Sequence, residues 1–313
     1  MNGKEVIRVP VITGPTASGK TSLAIEIAVE LGWDIISCDS RQVYRGMNIG
    51  TAKSTSEEQM KVKQWLIDII DPSEAYSVYR FSTDAAEIIT KLHNQNRLAM
   101  ICGGTGLYLR GLIEGVGPQE ESEPTVRDEL TTKAGRIGSE AMHRELQEKD
   151  PVSAQKIHPR DLQRIIRALA VYYQSGIPIS ELQKSYQKDS KFEFVVIKTK
   201  VDRPLLYERI NSRVDAMVKG GLYDEFRKLV SMGYDEMSPG MHCVGYKEFF
   251  AVERKEYSFA DAVELIKRNT RRFAKRQITW FTHQQFGTEI DLTEGVEKGR
   301  EELKKFFLDN TTC

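Results

Sequence analysis

Residues 14–21 read GPTASGKT, the spacing G-x-x-x-x-G-K-[ST] of a phosphate-cradling loop. Its glycines, Gly14 and Gly19, let backbone N–H groups converge on an anion at the positive start of a helix. Pro15, Thr16, Ala17 and Ser18 complete the cradle. Lys20 adds a point charge for the outer phosphate, and Thr21 a hydroxyl suited to Mg²⁺. The chain is therefore expected to hold a polyphosphate or a diphosphate with Mg²⁺. What it does with that anion must come from other residues.

Asp39 directly follows the apolar stretch 34–38, DIISC. A carboxylate at a strand's end beside a bound phosphate can ligate Mg²⁺ through water or act as a general base. A turn or N-cap aspartate is the plainer reading. Its neighbours Ser40, Arg41, Gln42 and Tyr44 carry side chains that read or stack on bases, which shifts the balance toward chemistry. Residues 103–106, GGTG, form a second glycine loop where backbone can approach a ligand and Thr105 can offer its hydroxyl; a tight strand-to-helix turn would use the same residues. Arg209 and Arg213, one helical turn apart, can supply cationic donors to a leaving diphosphate, or simply form surface salt bridges.

Two arginine arrays point to a polyanion. Arg160, Arg164 and Arg167 fall on one face of a helical pattern, with Leu162, Ile165 and Ile166 placed to pack. Arg268, Arg271, Arg272 and Lys275 recur at helical spacing, with Arg276 next to them. The chain has 45 basic and 45 acidic residues, so a nucleic-acid partner has to be met by such local patches; a solvated basic face would have the same pattern. No N-K-x-D guanine-reading motif follows the phosphate loop and no D-x-x-G stands at a strand end, which argues against a GTPase. An apolar run closed by Asp-Glu, as ATPases use, is also absent.

These residues need a scaffold. Apolar runs at 6–12, 34–38 and 97–102 read as strands, separated by helical patterns at 21–31, 56–65 and 82–94. Such alternation implies an α/β fold: a P-loop-type parallel sheet with helices on both faces. Ligands bind at the carboxyl edge of such sheets, which brings the phosphate loop, Asp39-Ser40 and Gly103-Gly104-Thr105 to one rim. From 116 to 191 an acidic, Pro-containing start gives way to helical patterns without a convincing strand. That stretch is expected to be a helical insertion within a core of 1–115 and 192–313. The β pattern returns at 194–197, and Asp202-Arg203-Pro204 opens a helix to about 219. Gly220-Gly221 breaks it, and 222–232 resumes. The remainder from about 257 reads as mostly helical.

With 40% hydrophobic and 29% charged residues the composition is globular, and 313 residues suffice for a large α/β domain with an insertion. Cys38, Cys102, Cys243 and Cys313 lack C-x-x-C spacing, which disfavours a structural zinc site and a disulfide framework. There is no secretory pattern and no apolar run near the length of a membrane span. A reducing cytoplasm and no membrane partner are expected.

The motifs, taken in order, resemble those of bacterial tRNA dimethylallyltransferases. The phosphate loop is followed by DSRQVYRGMNIGTAK (39–53), LIDIIDP (66–72), GGTGLYL (103–109), QRIIRALAVY (163–172), GYKE (245–248) and TRRFAKRQITWF (270–281). The resemblance spans nearly the whole chain, and DSRQVYRGM and AKRQITWF are far more specific than the phosphate loop. It implies transfer of the prenyl group of dimethylallyl diphosphate to the N6 amine of adenosine 37, immediately 3′ of the tRNA anticodon. It also implies that the anion held is the diphosphate leaving group. Asp39 would be the general base, Thr105 would contact the reacting centre, and Arg213 would neutralise the departing oxygens. Residues 14–21 and Arg209 would hold diphosphate, with Thr21 on Mg²⁺. Asp39, Ser40, Arg41, Gln42, Thr105, Arg127, Gln163, Arg164, Ile165, Ile166, Arg167, Lys275 and Arg276 would face the anticodon stem-loop.

Two departures stand out. Many family members carry His-His before Leu-Ile-Asp, where Gln64-Trp65 stands here, so no catalytic role is expected at these positions. Eukaryotic members append a Cys/His finger that has no counterpart here. A P-loop kinase would share fold, loop and Mg²⁺ but would have no use for two basic helices. An enzyme prenylating free adenine nucleotide would not need the insertion, and a nucleotide-switched RNA-binding module would be expected to read guanine. A monomer with one pocket and one basic surface is the simplest assembly.

Overall fold

The computed structural model describes residues 6–117, 124–185 and 191–311; most of the acidic Pro-containing stretch, and Cys313, lie outside them. The chain divides into two compact units, 1–110 with 190–313, and 111–189. Its elements begin with β1 (Ile7–Thr13), α1 (Lys20–Leu31), β2 (Asp34–Ser37), α2 (Ser56–Lys61), β3 (Gln64–Trp65), α3 (Val78–His93), β4 (Ala99–Gly103) and α4 (Gly106–Glu114). The second unit carries α5 (Pro124–Ile137), α6 (Ser139–Lys149), α7 (Pro151–Lys156), α8 (Leu162–Ser175) and α9 (Ile179–Ser185). The first unit resumes with β5 (Phe192–Lys200), α10 (Arg203–Lys219), α11 (Leu222–Ser231), α12 (Lys247–Glu253), α13 (Phe259–Thr282), β6 (Thr288–Asp291) and α14 (Val296–Thr311).

The six strands form one parallel sheet in the order β3-β2-β4-β1-β5-β6. β1, IRVPVIT, is almost wholly buried, as a strand sandwiched between helix layers must be. Ile12, Ile27, Met100, Ile197, Leu206 and Phe307 join in the core that helices build on this sheet. Register sets the rim. Thr13 lies opposite Gly103 and its Oγ1 donates to the Gly103 carbonyl at 2.8 Å. A Cβ on Gly103 would stand 2.1 Å from the Cys38 carbonyl oxygen, so only glycine lets the ends of β1, β2 and β4 converge this closely.

Three local expectations need correcting. The helical pattern at 56–65 stops at Lys61, and Gln64–Trp65 is an edge strand. Trp65 is drawn to β2: its Nε1 donates to the buried Asp34 at 2.7 Å, and Lys63 and Lys91 lie over its ring at 5.2 and 5.4 Å. The C-terminal stretch contains a sixth strand at Thr288–Asp291, mostly exposed and held by pairing with β5. It has no apolar alternation to announce it. Arg160 precedes α8, whose N-cap is Asp161, and so shares no helical face with Arg164 and Arg167.

The second unit is helical throughout its described residues, with Leu130, Met142, Leu146, Ile165 and Leu169 in its core. Asp150 caps α7 and accepts four hydrogen bonds: from the Ser153 N–H (2.9 Å) and Oγ (2.7 Å), and from the Ser180 N–H (3.0 Å) and Oγ (2.7 Å). Burial alone would raise its pKa, but the Ser180 and Ser153 donors together hold it below the usual 3.8. The native carboxyl thus titrates lower than the unfolded one. Its stabilisation is complete above pH 3.8 and is lost as pH falls toward the lower native value. Asp150→Asn, which turns a donor toward donors, should cost about 1–3 kcal/mol in urea unfolding at neutral pH and flatten the acid limb of the stability profile. Among the described residues no helix is long and apolar enough to cross a membrane.

Candidate active site

The phosphate loop joins β1 to α1 through a left-handed Gly19, which caps the helix with no side-chain hydrogen bond. The first α1 amides therefore stay available to an anion. Ala17 is also left-handed, at φ 64°, a strain typical of a ligand-holding loop. A Cβ on Gly14 would stand 2.1 Å from Thr199 Oγ1, and that hydroxyl pairs with the buried Ser18 Oγ at 2.8 Å. Gln277, from α13, closes the cradle from across the unit. Its Oε1 accepts the Thr16 N–H at 2.8 Å and its Nε2 donates to the Gly104 carbonyl at 2.8 Å, so one side chain locks the two glycine loops together.

Two cavities meet here. The inner pocket is lined by Lys20, Thr21, Ile35, Gln42 and Gln277 among others, and the outer cleft by Ser40, Arg41, Thr105, Lys247 and Arg276 among others. Thr16, Asp39, Thr51, Arg213 and Phe273 line both. The carboxylate of Asp39 thus stands at the junction. Its Oδ1 accepts the Arg41 N–H at 2.8 Å, and Thr105 braces the turn: its Oγ1 accepts the Ser40 N–H at 3.0 Å while its own N–H donates to the Cys38 carbonyl at 3.1 Å. The Arg41 guanidinium donates to the Pro239 carbonyl at 3.1 Å.

The electrostatics suit an anion. Burial lowers the Lys20 pKa, with Cys102 and Asp39 pulling it back and Arg213 adding to the fall. Burial likewise lowers Arg213, and Asp39 opposes it. Two cations crowded beside one carboxylate gain from a multiply charged anion. Lys20 meanwhile rests on the Pro15 carbonyl at 3.1 Å, and Arg213 Nη1 reaches Thr16 Oγ1 at 3.4 Å. Burial also raises the nearby thiols, Cys102 to about 11, Cys243 to about 12 and Cys38 well above its usual range.

The sequence-predicted residues thus divide. The phosphate loop, Asp39, Ser40, Arg41, Thr105, Arg213 and Arg276 gather around the two cavities. Arg209, one turn before Arg213 on α10, lines neither. Gln42 turns inward: its Oε1 accepts the Ser37 hydroxyl at 2.9 Å and its Nε2 donates to the Ala52 carbonyl at 3.2 Å, which places the side chain in the pocket wall. Ile165 and Ile166 are buried in the second unit, as 3.6-residue periodicity requires of the stripe that also carries Leu169. Their side chains are core, which leaves only the backbone of this pair for the expected RNA contact. Gln163, Arg164 and Arg167 stand exposed on the same helix, and Arg127 lies on α5. Lys275 joins Arg272, Arg276, Trp280 and His283 along an open groove on α13. Thr51, Phe273 and Gln277 were missed, although all three fall within the quoted motifs; nothing local marks which motif residues turn inward.

For Mg²⁺ the donor set fits in kind. No group of three or more His, Cys, Asp or Glu side chains is gathered for a metal among the described residues. Mg²⁺, however, commonly takes one or two protein oxygens and fills the rest with water and substrate phosphates. Thr21 lines the inner pocket and offers one such oxygen.

The family whose model matches residues 42–284 is described as IPP transferase. A tRNA dimethylallyltransferase of Thermotoga petrophila is 42% identical over 305 residues, covering 97% of this chain and 99% of the relative. One from Acetivibrio thermocellus is 45% identical over 273 residues, 87% of each chain. Among solved structures, the full-length tRNA isopentenylpyrophosphate transferase of Bacillus halodurans matches with a TM-score of 0.72 and 38% identity, over 99% of this chain and 97% of that one. A eukaryotic dimethylallyltransferase acting on tRNA matches with a TM-score of 0.83 and 26% identity, over 98% and 80%.

Proposed function

The chain belongs to the IPP transferase family, and from that premise we infer that it is a tRNA dimethylallyltransferase. It transfers the dimethylallyl group of dimethylallyl diphosphate to the exocyclic N6 amine of a tRNA adenosine. The observation that carries the site assignment is the position of Asp39, where the inner pocket opens into the outer cleft. The inner pocket holds the donor, its diphosphate on the α1 amides, Lys20 and Arg213. The outer cleft receives the adenine. The acceptor is adenosine 37, 3′ of the anticodon, turned out of its stack because an amine inside a stacked loop cannot reach a walled pocket.

In the reaction the allylic carbon–oxygen bond breaks and its electron pair leaves with the diphosphate. The N6 lone pair forms the new carbon–nitrogen bond, and the N6 proton passes to Asp39. Neutralising the leaving group is the chief electrostatic task, and Lys20 and Arg213 perform it from the protein side. Mg²⁺, held by Thr21 together with the diphosphate, would supply further neutralisation. Thr105 keeps the Asp39 turn in place through Ser40. Arg276, Lys275, Arg41 and the exposed arginines of α8 carry the RNA backbone. One chain supplies every part, so the enzyme works as a monomer, in the cytoplasm with its tRNA.

The test incubates the protein with Mg²⁺, unmodified tRNA whose anticodon is followed by adenosine, and labelled dimethylallyl diphosphate or labelled ATP. Label from the prenyl donor is expected in RNA, at that adenosine, and none from ATP. Phosphate transfer from ATP to a small acceptor, without prenylated RNA, would overturn the reading in favour of a kinase.

A further inference from the structure

One wall of the inner pocket is made by the long loop between β2 and α2. Thr51 and Ala52 line it. This wall is held in an unfavourable conformation: Ala52 sits at φ 49°, in the left-handed region that an alanine seldom occupies. Something must over-determine it.

The restraint comes from α11. The Glu225 carboxylate accepts three consecutive backbone N–H groups, those of Asn48 (2.9 Å), Ile49 (2.9 and 3.0 Å to the two oxygens) and Gly50 (3.1 Å). It also accepts the Tyr246 hydroxyl at 2.6 Å, while the oxygen of that hydroxyl accepts the Gly50 N–H at 3.2 Å. Tyr246 is fully buried, and burial followed by the adjacent Glu225 raises its pKa, which keeps it a donor. The Tyr246 ring lies so close to Gly50 that a Cβ there would stand 2.4 Å from it. Charge-assisted bonds to successive amides are strong and directional, and each fixes the loop immediately before Thr51. The far side of the wall is tied by Gln42 to the Ala52 carbonyl.

We propose that Glu225, with Tyr246, is the positioning pair that fixes the Gly50-Thr51-Ala52 wall and thereby limits the donor pocket to a five-carbon prenyl chain. The inference rests on the reading of the inner pocket as the prenyl diphosphate site. Neither residue touches the reacting atoms. They act by keeping a wall of small side chains in place against a longer chain that would displace it.

The experiment measures kcat/KM for dimethylallyl and for geranyl diphosphate, with tRNA saturating, in the native enzyme, in Glu225→Gln and in Tyr246→Phe. Glu225→Gln keeps the shape but loses charge and turns an amide NH₂ toward backbone donors. Tyr246→Phe keeps the packing and removes only the hydroxyl. The native enzyme should strongly prefer the five-carbon donor. Both variants should narrow that preference by about tenfold or more, since a single methylene in an apolar pocket is sensed at 10–200-fold, and KM for dimethylallyl diphosphate should rise more than kcat falls. A merely structural role would lower melting temperature and depress both donors in proportion. An unmoved donor ratio in Tyr246→Phe, the gentler change, would therefore sink the proposal even if Glu225→Gln failed to fold. Failure of the native enzyme to use dimethylallyl diphosphate at all would instead refute the functional reading beneath it.

Discussion

Replacing Asp39 by asparagine is expected to lower the rate of prenyl transfer within the enzyme–tRNA complex by about 10²–10⁴-fold, the usual contribution of a positioned general base. RNA affinity should change little. Asparagine keeps an oxygen for the Arg41 N–H, now met at 2.8 Å, so the turn carrying Ser40 and Arg41 survives and only proton acceptance is lost. The N6 amine is a weak nucleophile because its lone pair is conjugated into the adenine ring, and it needs its proton removed as the bond forms. Single-turnover rates with tRNA prebound, set beside filter-binding affinities, separate the two contributions. A large loss of affinity with normal turnover of bound RNA would remove Asp39 from the role of base and make it an RNA contact.

The second large effect distinguishes two arginines that the sequence presents as equals. Arg213→Gln should reduce kcat/KM for the donor by about 10²–10³-fold, the scale of losing one preorganised donor to a developing anion. Arg209→Gln, at a half-buried side chain that lines neither cavity, should stay within about twofold. The basis is placement. Arg213 lines both cavities and contacts the phosphate loop through Thr16, whereas Arg209 projects from the preceding turn and lines neither. Steady-state kinetics with dimethylallyl diphosphate varied and tRNA saturating would decide it. Equal losses from both substitutions would mean that α10 contributes a diffuse positive field rather than a single ligand.

The parts of this molecule that were legible in advance are those with local signatures. The phosphate loop announces itself through glycine spacing after an apolar strand, and Asp39 through its place after DIISC, because strand ends and loops converge on one rim in any parallel sheet. The Gly220-Gly221 break and the helical insertion are likewise written in short stretches. What stayed hidden depends on partners remote in sequence. Gln64-Trp65 looks like the end of a helix until Asp34 and two lysines are seen around the indole. Thr288–Asp291 is a strand only because β5 offers an open edge. Arg213 parts from Arg209 only once α10 is set against the pocket, and Ile165 and Ile166 show as core only once α8 is packed. Gln277 and Glu225 do their positioning through backbone groups more than 170 residues away, which no window of sequence displays.

That remoteness also has a meaning in time. The Thr16 amide and the Gln277 side chain that holds it are separated by 261 residues, so on a ribosome adding 5–20 residues per second they are born roughly 10–50 s apart. β1 must likewise wait for β5, its partner from Ile7 to Thr13, until 111–189 has been made. The inserted unit draws its core from residues 130–179 and can condense on its own while the phosphate loop still lacks its lock. The enzyme's own synthesis thus sets an order: a platform first, a sheet next, and the donor cradle only when α13 arrives, so that a nascent chain interrupted short of that helix holds every residue of the phosphate loop and no means of closing it.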